Sequence, residues 1–177
     1  MAIKRIFVEK KKGCDIEASQ LFTDIKENFE MDSLEGLRIL YRYDVEDISD
    51  EAFAVAEKTI FSEPPVDNVY IESFEAAEDE VIFGMEYLPG QYDQRADSAM
   101  QCIQIISGDD KAVVAAAKIY VLKGRLSVED IEKIKNYCIN PVDSREAAME
   151  KPETLKMNLN IPETVETLTG FIDKSEG

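Results

Sequence analysis

The chain reads as one half written twice, and that most narrows what it can fold into. Val8-Glu9-Lys10-Lys11-Lys12-Gly13 opens a stretch that closes on Pro65-Val66-Asp67, and Glu86-Tyr87-Leu88-Pro89-Gly90 opens another that closes on Pro141-Val142-Asp143. Between these landmarks each half runs apolar strand, turn, amphipathic helix, strand, helix. Two copies of such a unit predict a pseudo-symmetric pair built like a dimer.

The periodicities give the elements. Ile3, Ile6, Phe7 and Val8 form a β-branched and aromatic run that Lys10 to Gly13 breaks. Asp15 stands at a helix start, followed by Ala18, Leu21, Phe22, Ile25 and Phe29 at helical spacing. Leu37, Ile39, Tyr41 and Tyr43 alternate with Arg38, Leu40 and Arg42, the pattern of a strand with one packed and one partly wet face. Ser49 caps a helix striped by Phe53, Ala56, Ile60 and Phe61; Glu63-Pro64-Pro65 stops it, and 66–71 can close as a strand. The second half repeats the order, with Val81 to Tyr87 as strand, Asp93 to Ile106 as helix and Val113 to Leu122 as strand. Ser127 then caps a helix carrying Ile131, Ile134, Tyr137 and Cys138. Lys118-Ile119-Tyr120-Val121 reads as the counterpart of Arg38-Ile39-Leu40-Tyr41. Helices that need a sheet face to cover predict an α+β fold, with the helices on one face of mainly antiparallel sheets, the two open sheets hiding one another's edges. The expected divisions are 1–73 and 81–147 for the repeats, 74–80 for an acidic connector, and 148–177 for a linker to a further portion.

With 37 acidic residues against 20 basic ones, the net charge of -17 repels phosphate backbones and anionic lipid, so neither nucleic acid nor membrane is expected as a partner. No apolar run approaches the length of a bilayer span, and the start of the chain lacks a signal-peptide pattern, which places it in the cytoplasm. Cys14, Cys102 and Cys138 are odd in number and scattered, and are expected as small reduced hydrophobes.

The sequence holds no histidine and no phosphate loop, CxxC or GxSxG pattern, so no catalytic, cofactor-binding or metal-binding residue is assigned. Asp44, Glu46, Asp47, Asp50 and Glu51 lack the spacing of a calcium loop and read as a solvated helix start. One segment stands apart, Leu88 to Ala99. Its turn and helix start gather Gln91, Asp93, Gln94, Arg95 and Asp97, directional groups suited to docking another surface. In the plainer alternative Asp93 caps the helix and Arg95 pairs with Asp97 or a neighbour.

Phe61-Ser62-Glu63-Pro64-Pro65-Val66-Asp67, the run from Tyr87 to Ala99 that includes Pro89-Gly90-Gln91-Tyr92-Asp93-Gln94-Arg95-Ala96-Asp97-Ser98, and Ile139-Asn140-Pro141-Val142-Asp143-Ser144-Arg145-Glu146 together resemble the N-terminal region of the large, single-chain phosphoribosylformylglycinamidine synthases. The resemblance covers about residues 3 to 155. It implies two fused PurS-like repeats at the head of an ATP- and glutamine-dependent amidoligase of purine biosynthesis. ATP and magnesium would belong to the parent enzyme's catalytic portion, which would be this region's partner. The region itself would be non-catalytic, scaffolding that portion, and self-association remains possible. The alternatives are a stand-alone PurS-type subunit, or a module binding a small molecule between two ferredoxin-like halves. Against the last stands the lack of an evident pocket in the sequence pattern. The stretch from Ala148 onward reads as unfinished.

Overall fold

The computed structural model describes residues 2–108 and 110–156. The chain runs β1 (Lys4–Lys10), α1 (Ile16–Phe29), β2 (Leu34–Glu46), α2 (Asp50–Ala56), β3 (Asp67–Ile71), β4 (Glu80–Tyr87), α3 (Gln94–Ser107), β5 (Val113–Gly124), α4 (Val128–Cys138) and β6 (Ser144–Ala147). A π-helical turn, Glu57–Phe61, extends α2. The fold is α+β. Its strands form one six-stranded antiparallel sheet in the order β3-β1-β2-β5-β4-β6, so the two open sheets expected to hide one another's edges are joined into one. The long strands β2 and β5 pair from Leu34↔Gly124 to Glu46↔Val113, so each hides the edge of the other by backbone hydrogen bonding.

The order reads the same from either edge when β1, β2 and β3 are exchanged for β4, β5 and β6. Equivalent backbone positions lie 77 apart. Gly13 and Gly90 both take a left-handed turn, at φ 90° and 91°. Lys11 N–H donates to Val66 O, and Leu88 N–H to Asp143 O. On this register Lys118 is the counterpart of Tyr41, which corrects the match of Lys118 with Arg38 suggested by residue type. Asp67 likewise corresponds to Ser144, not Asp143. Backbone hydrogen bonding sets the register, and local resemblance of side chains is a poorer guide to it. Tyr41 and Lys118 are also paired directly across β2 and β5, so the twofold relation passes between them.

All four helices cover one face of the sheet. Along β2, Ile39, Tyr43 and Val45 face them from the packed side of the pleat. The helix layer divides into two pairs, each drawing one helix from each half. Helices α1 and α4 meet through Phe29 and Tyr137, ring centroids 5.5 Å apart, over Ile25, Phe83, Tyr120 and Ile134. Helices α2 and α3 share the cluster of Phe53, Phe61, Ala99 and Ile103. Asp15 occupies the N-cap position of α1 but accepts from Gly13 N–H, holding the glycine turn instead of the helix start. Helix α4 has a full capping box: Asp130 N–H donates to Ser127 Oγ at 3.1 Å, and Ser127 N–H to Asp130 Oδ2 at 3.0 Å. Ser127→Ala is expected to cost about 1 kcal/mol in urea denaturation, as loss of an exposed N-cap does.

The opposite face was expected to be partly wet. Instead Phe7, Leu40, Ile119 and Val121 are buried there, together with Arg5, Arg42 and Asp44. Two segments explain this. Phe74, from the acidic connector, stands edge-on to Phe7 at 4.9 Å. The segment 148–156, expected as the start of a linker, lies along this face: Arg42 donates to Ala148 O at 2.6 Å, Arg5 to Met149 O at 2.6 Å, and Lys151 to Ile3 O at 3.1 Å. Farther on, Leu155 N–H and the Thr154 hydroxyl donate to Glu46. Asp44 and Glu46, expected in a solvated acidic stretch, are therefore buried. The part of the expected linker at 157–177 lies outside the described residues.

Candidate functional site

Between the two helix pairs runs a groove whose floor is the twofold centre of the sheet, at Tyr41 and Lys118. Arg95, in the first turn of α3, reaches into it from one side. Its guanidinium carbon lies 3.6 Å from the centroid of the Tyr41 ring, and its Nη1 donates to the Tyr43 hydroxyl at 3.0 Å. From the other side Glu17, in the first turn of α1, accepts from the Tyr41 hydroxyl at 2.6 Å and from Lys118 Nζ at 2.6 Å. Arg95, Tyr41, Glu17 and Lys118 therefore form one connected cluster bridging α3, the sheet and α1.

The electrostatics follow from these contacts. Partial burial works to raise the Glu17 carboxyl, but the hydrogen bonds from Lys118 and Tyr41 outweigh it and hold the group below its ordinary value. Burial, then the bond to Glu17, pushes the Tyr41 phenol up, so it remains a donor at neutral pH. Burial disfavours the Arg95 charge, yet the bond to Tyr43 together with the electrostatic pull of Tyr43, Tyr41 and Glu17 more than offsets this, and its value is raised.

Two cavities open on either side of Arg95. One, of about 610 Å³, is lined by Tyr43, Ile60, Ala99 and Ser98 among others; a second, of about 400 Å³, lies toward Ala18 and Phe61. Tyr41, Tyr43 and Arg95 line both. The pocket that the sequence pattern gave no sign of is therefore present. Its parts lie on β2, β4, β5, α1, α3 and the π-helical turn, far apart in the chain, and only the two alternating tyrosines of β2 hinted at it.

The residues singled out in the 88–99 segment separate on folding. Asp93 caps α3, accepting from Arg95 N–H and Ala96 N–H. Asp97 accepts from the Tyr92 hydroxyl and from Gln101, tying the turn to its own helix. Arg95 turns to the tyrosines rather than to Asp97 or another carboxylate. Gln91 and Gln94 stay exposed, and their side chains make no hydrogen bond among the described residues. Sequence reasoning missed Glu17, Tyr41, Tyr43 and Lys118 as members of a polar cluster, because each also fits an ordinary surface or core position.

The cysteines differ from expectation. Cys14 and Cys102 are exposed, at the rims of the smaller and larger cavities, and Cys138 is half-buried against α1. Burial pushes the Cys138 thiol up to about 11. Iodoacetamide at pH 8 is expected to label Cys14 and Cys102 in the native protein and Cys138 only after unfolding, as peptide mass mapping would read out.

No family model matches the chain, and no curated protein matches it. Among the described residues no group of acidic or cysteine side chains is placed to hold a metal ion, and no helix is long and apolar enough to cross a membrane. The fold and site define a class: an open-faced α+β sandwich, twofold in strand order, with a cation–tyrosine groove on the twofold centre.

Proposed function

We propose that this chain is the non-catalytic N-terminal assembly domain of a phosphoribosylformylglycinamidine synthase, two PurS-like repeats fused into a pseudo-dimer. The observation that carries the reading is the twofold order of the sheet, with equivalent positions 77 apart and β2 paired to β5 where two half-length chains would meet. The resemblance from Pro89 to Ser98 adds to it. That run forms a braced turn leading into a capped helix, which keeps Gln91, Tyr92 and Gln94 at the surface while Asp93 and Asp97 hold their shape. Docking through a preformed turn avoids the entropy of ordering it on contact. ATP, magnesium and glutamine would be handled by the catalytic portion, with this domain supplying surface and rigidity in the cytoplasm.

The test is to isolate the endogenous protein with an antibody against this chain, determine its mass, and assay glutamine-dependent amidation of formylglycinamide ribonucleotide. Activity in a polypeptide several times heavier than 20.0 kDa is the expected result. Activity with a 20.0 kDa band and co-purifying larger chains would identify a separate PurS-type subunit instead. Isolated protein without activity and without such chains would overturn the assignment.

A further inference from the structure

Arg95 differs from the arginines on the other face of the sheet. Arg5 is held by Asp44, Arg38 by Glu9, and Arg145 by Glu86. Arg95 is held by two phenols, one beneath its plane and one at Nη1, and among the described residues no carboxylate lies within ion-pair distance of it. In a chain of net charge -17, an exposed guanidinium fixed in orientation and left without an anion is a group prepared for one. Its Nε and Nη2 make no hydrogen bond among the described residues. Together they form the two-donor edge that matches the oxygens of a planar carboxylate. Stacking on Tyr41 holds that edge in place, so less side-chain entropy is lost when a ligand docks.

We propose that the groove binds a small monocarboxylate with an apolar or aromatic body, its carboxylate on the free edge of Arg95 and its body in the 610 Å³ cavity beside Tyr43, Ile60 and Ala99. The volume lies in the range of small-molecule sites, and the lining sets the apolar surface of Ile60, Ala99 and Ala116 beside the polar groups of Arg95, Tyr43 and Ser98. Charge decides for a single negative charge. Around the same groove Glu17 already pairs with Lys118, and the carboxylates of Asp93 and Glu86 line the larger cavity, so the second charge of a phosphate is opposed while a single carboxylate is met by the free edge of Arg95. The site adjoins the proposed docking turn, since Asp93 and Gln94 line the same cavity, but a ligand binding to the isolated chain does not depend on the assembly role.

The test is nitrogen–proton NMR titration of the full 177-residue chain at pH 7 with phenylacetate, with acetate and inorganic phosphate as comparators. Phenylacetate is expected to shift the Arg95 Nε–H and the amides of Ala99 and Ala116 saturably, with a dissociation constant of about 1 mM, reasonable for a ligand of its size. Acetate, which lacks the body, and phosphate should each bind at least about tenfold more weakly. Arg95→Lys should weaken phenylacetate by about tenfold or more, because an ammonium offers neither the paired donors nor the stacking. Should that variant misfold, Ser98→Leu, an exposed position that fills the cavity, decides the matter: it should block phenylacetate and leave the rest of the spectrum intact. No saturable shift at about 10 mM phenylacetate, equal binding by phosphate, or undiminished binding in the folded variants would overturn the proposal.

Discussion

Asp44→Ala is expected to lower the unfolding free energy by about 3–5 kcal/mol, a loss large enough to leave the protein marginal at 37 °C. Asp44 is 2% exposed and holds both buried arginines of the sheet's second face. Arg5 binds it through two parallel hydrogen bonds of 2.6 and 2.9 Å, and Arg42 Nε stands 3.3 Å away. Burial pulls the Arg42 guanidinium below its usual value, and Asp44 is the strongest force opposing that pull. Removing the carboxylate leaves two desolvated cations side by side, with Glu86 at 3.8 Å from Arg42 as the remaining counter-charge. Thermal denaturation should show a fall of about 10 °C, since for a chain of this length each kcal/mol is worth about 2–4 °C. A second measurement separates the ion network from what it holds. Arg5 and Arg42 also donate to the carbonyls of Met149 and Ala148, so limited proteolysis within 149–151 should accelerate in Asp44→Ala even where the protein remains folded. A triple replacement of Arg5, Arg42 and Asp44 by apolar residues should restore much of the stability but not the protection of 149–151, because it removes the buried charges together with the donors. A shift below about 1 kcal/mol in Asp44→Ala would show that water reaches this face.

Gly124→Ala is expected to be nearly as damaging, at about 3 kcal/mol or more, for a reason of backbone shape. Gly124 ends β5 at φ 140°, a conformation that side chains rarely adopt. A Cβ placed there would stand 2.1 Å from the Ser33 carbonyl oxygen and 3.0 Å from Glu35 N, both backbone atoms that cannot swing away. The position matters because Gly124 pairs with Leu34 at the irregular end of the β2–β5 seam, where the register shifts between Leu34 and Gly36. Relieving the clash requires opening that end of the seam above Leu34 and Leu122, both fully buried. Gly90→Ala provides the comparison. Its φ is also positive, at 91°, but nothing lies within 4 Å of the added carbon, so only the conformational cost of about 1 kcal/mol is expected. Equal midpoints for the two variants in urea denaturation would refute the steric account.

The elements were largely legible because each rests on a local pattern. The period-two run through Ile39, Tyr41 and Tyr43 is the helix-facing side of β2, and the stripe from Ala18 to Phe29 lies along α1. Ser127 with Asp130, and Asp93 ahead of Gln94, announced two helix starts at the residues where they occur. Residue type misled where side chains were read for register: Lys118 looks like Arg38 but stands where Tyr41 stands, on the floor of the groove, because backbone pairing and not side-chain likeness fixes the register. The second face misled for a related reason. Arg42 and Asp44 read as water-facing until Phe74 and the segment after Ala147 fold over them, and no periodicity within β2 records that cover.

The order of strands and helices, the restriction of helices to one side and the doubling of the unit follow from hydrophobic period, caps and turn glycines, all interactions among residues close in the chain. The single continuous sheet, the pairing of helices across the halves, the strap at 148–156 and the groove at Arg95 were decided only by tertiary structure. Each depends on contacts between residues tens of positions apart. Arg95 meets Tyr43 across 52 positions, and Arg5 meets Met149 across 144. The energy of such contacts comes from desolvation and geometry that exist only once the chain has brought the partners together.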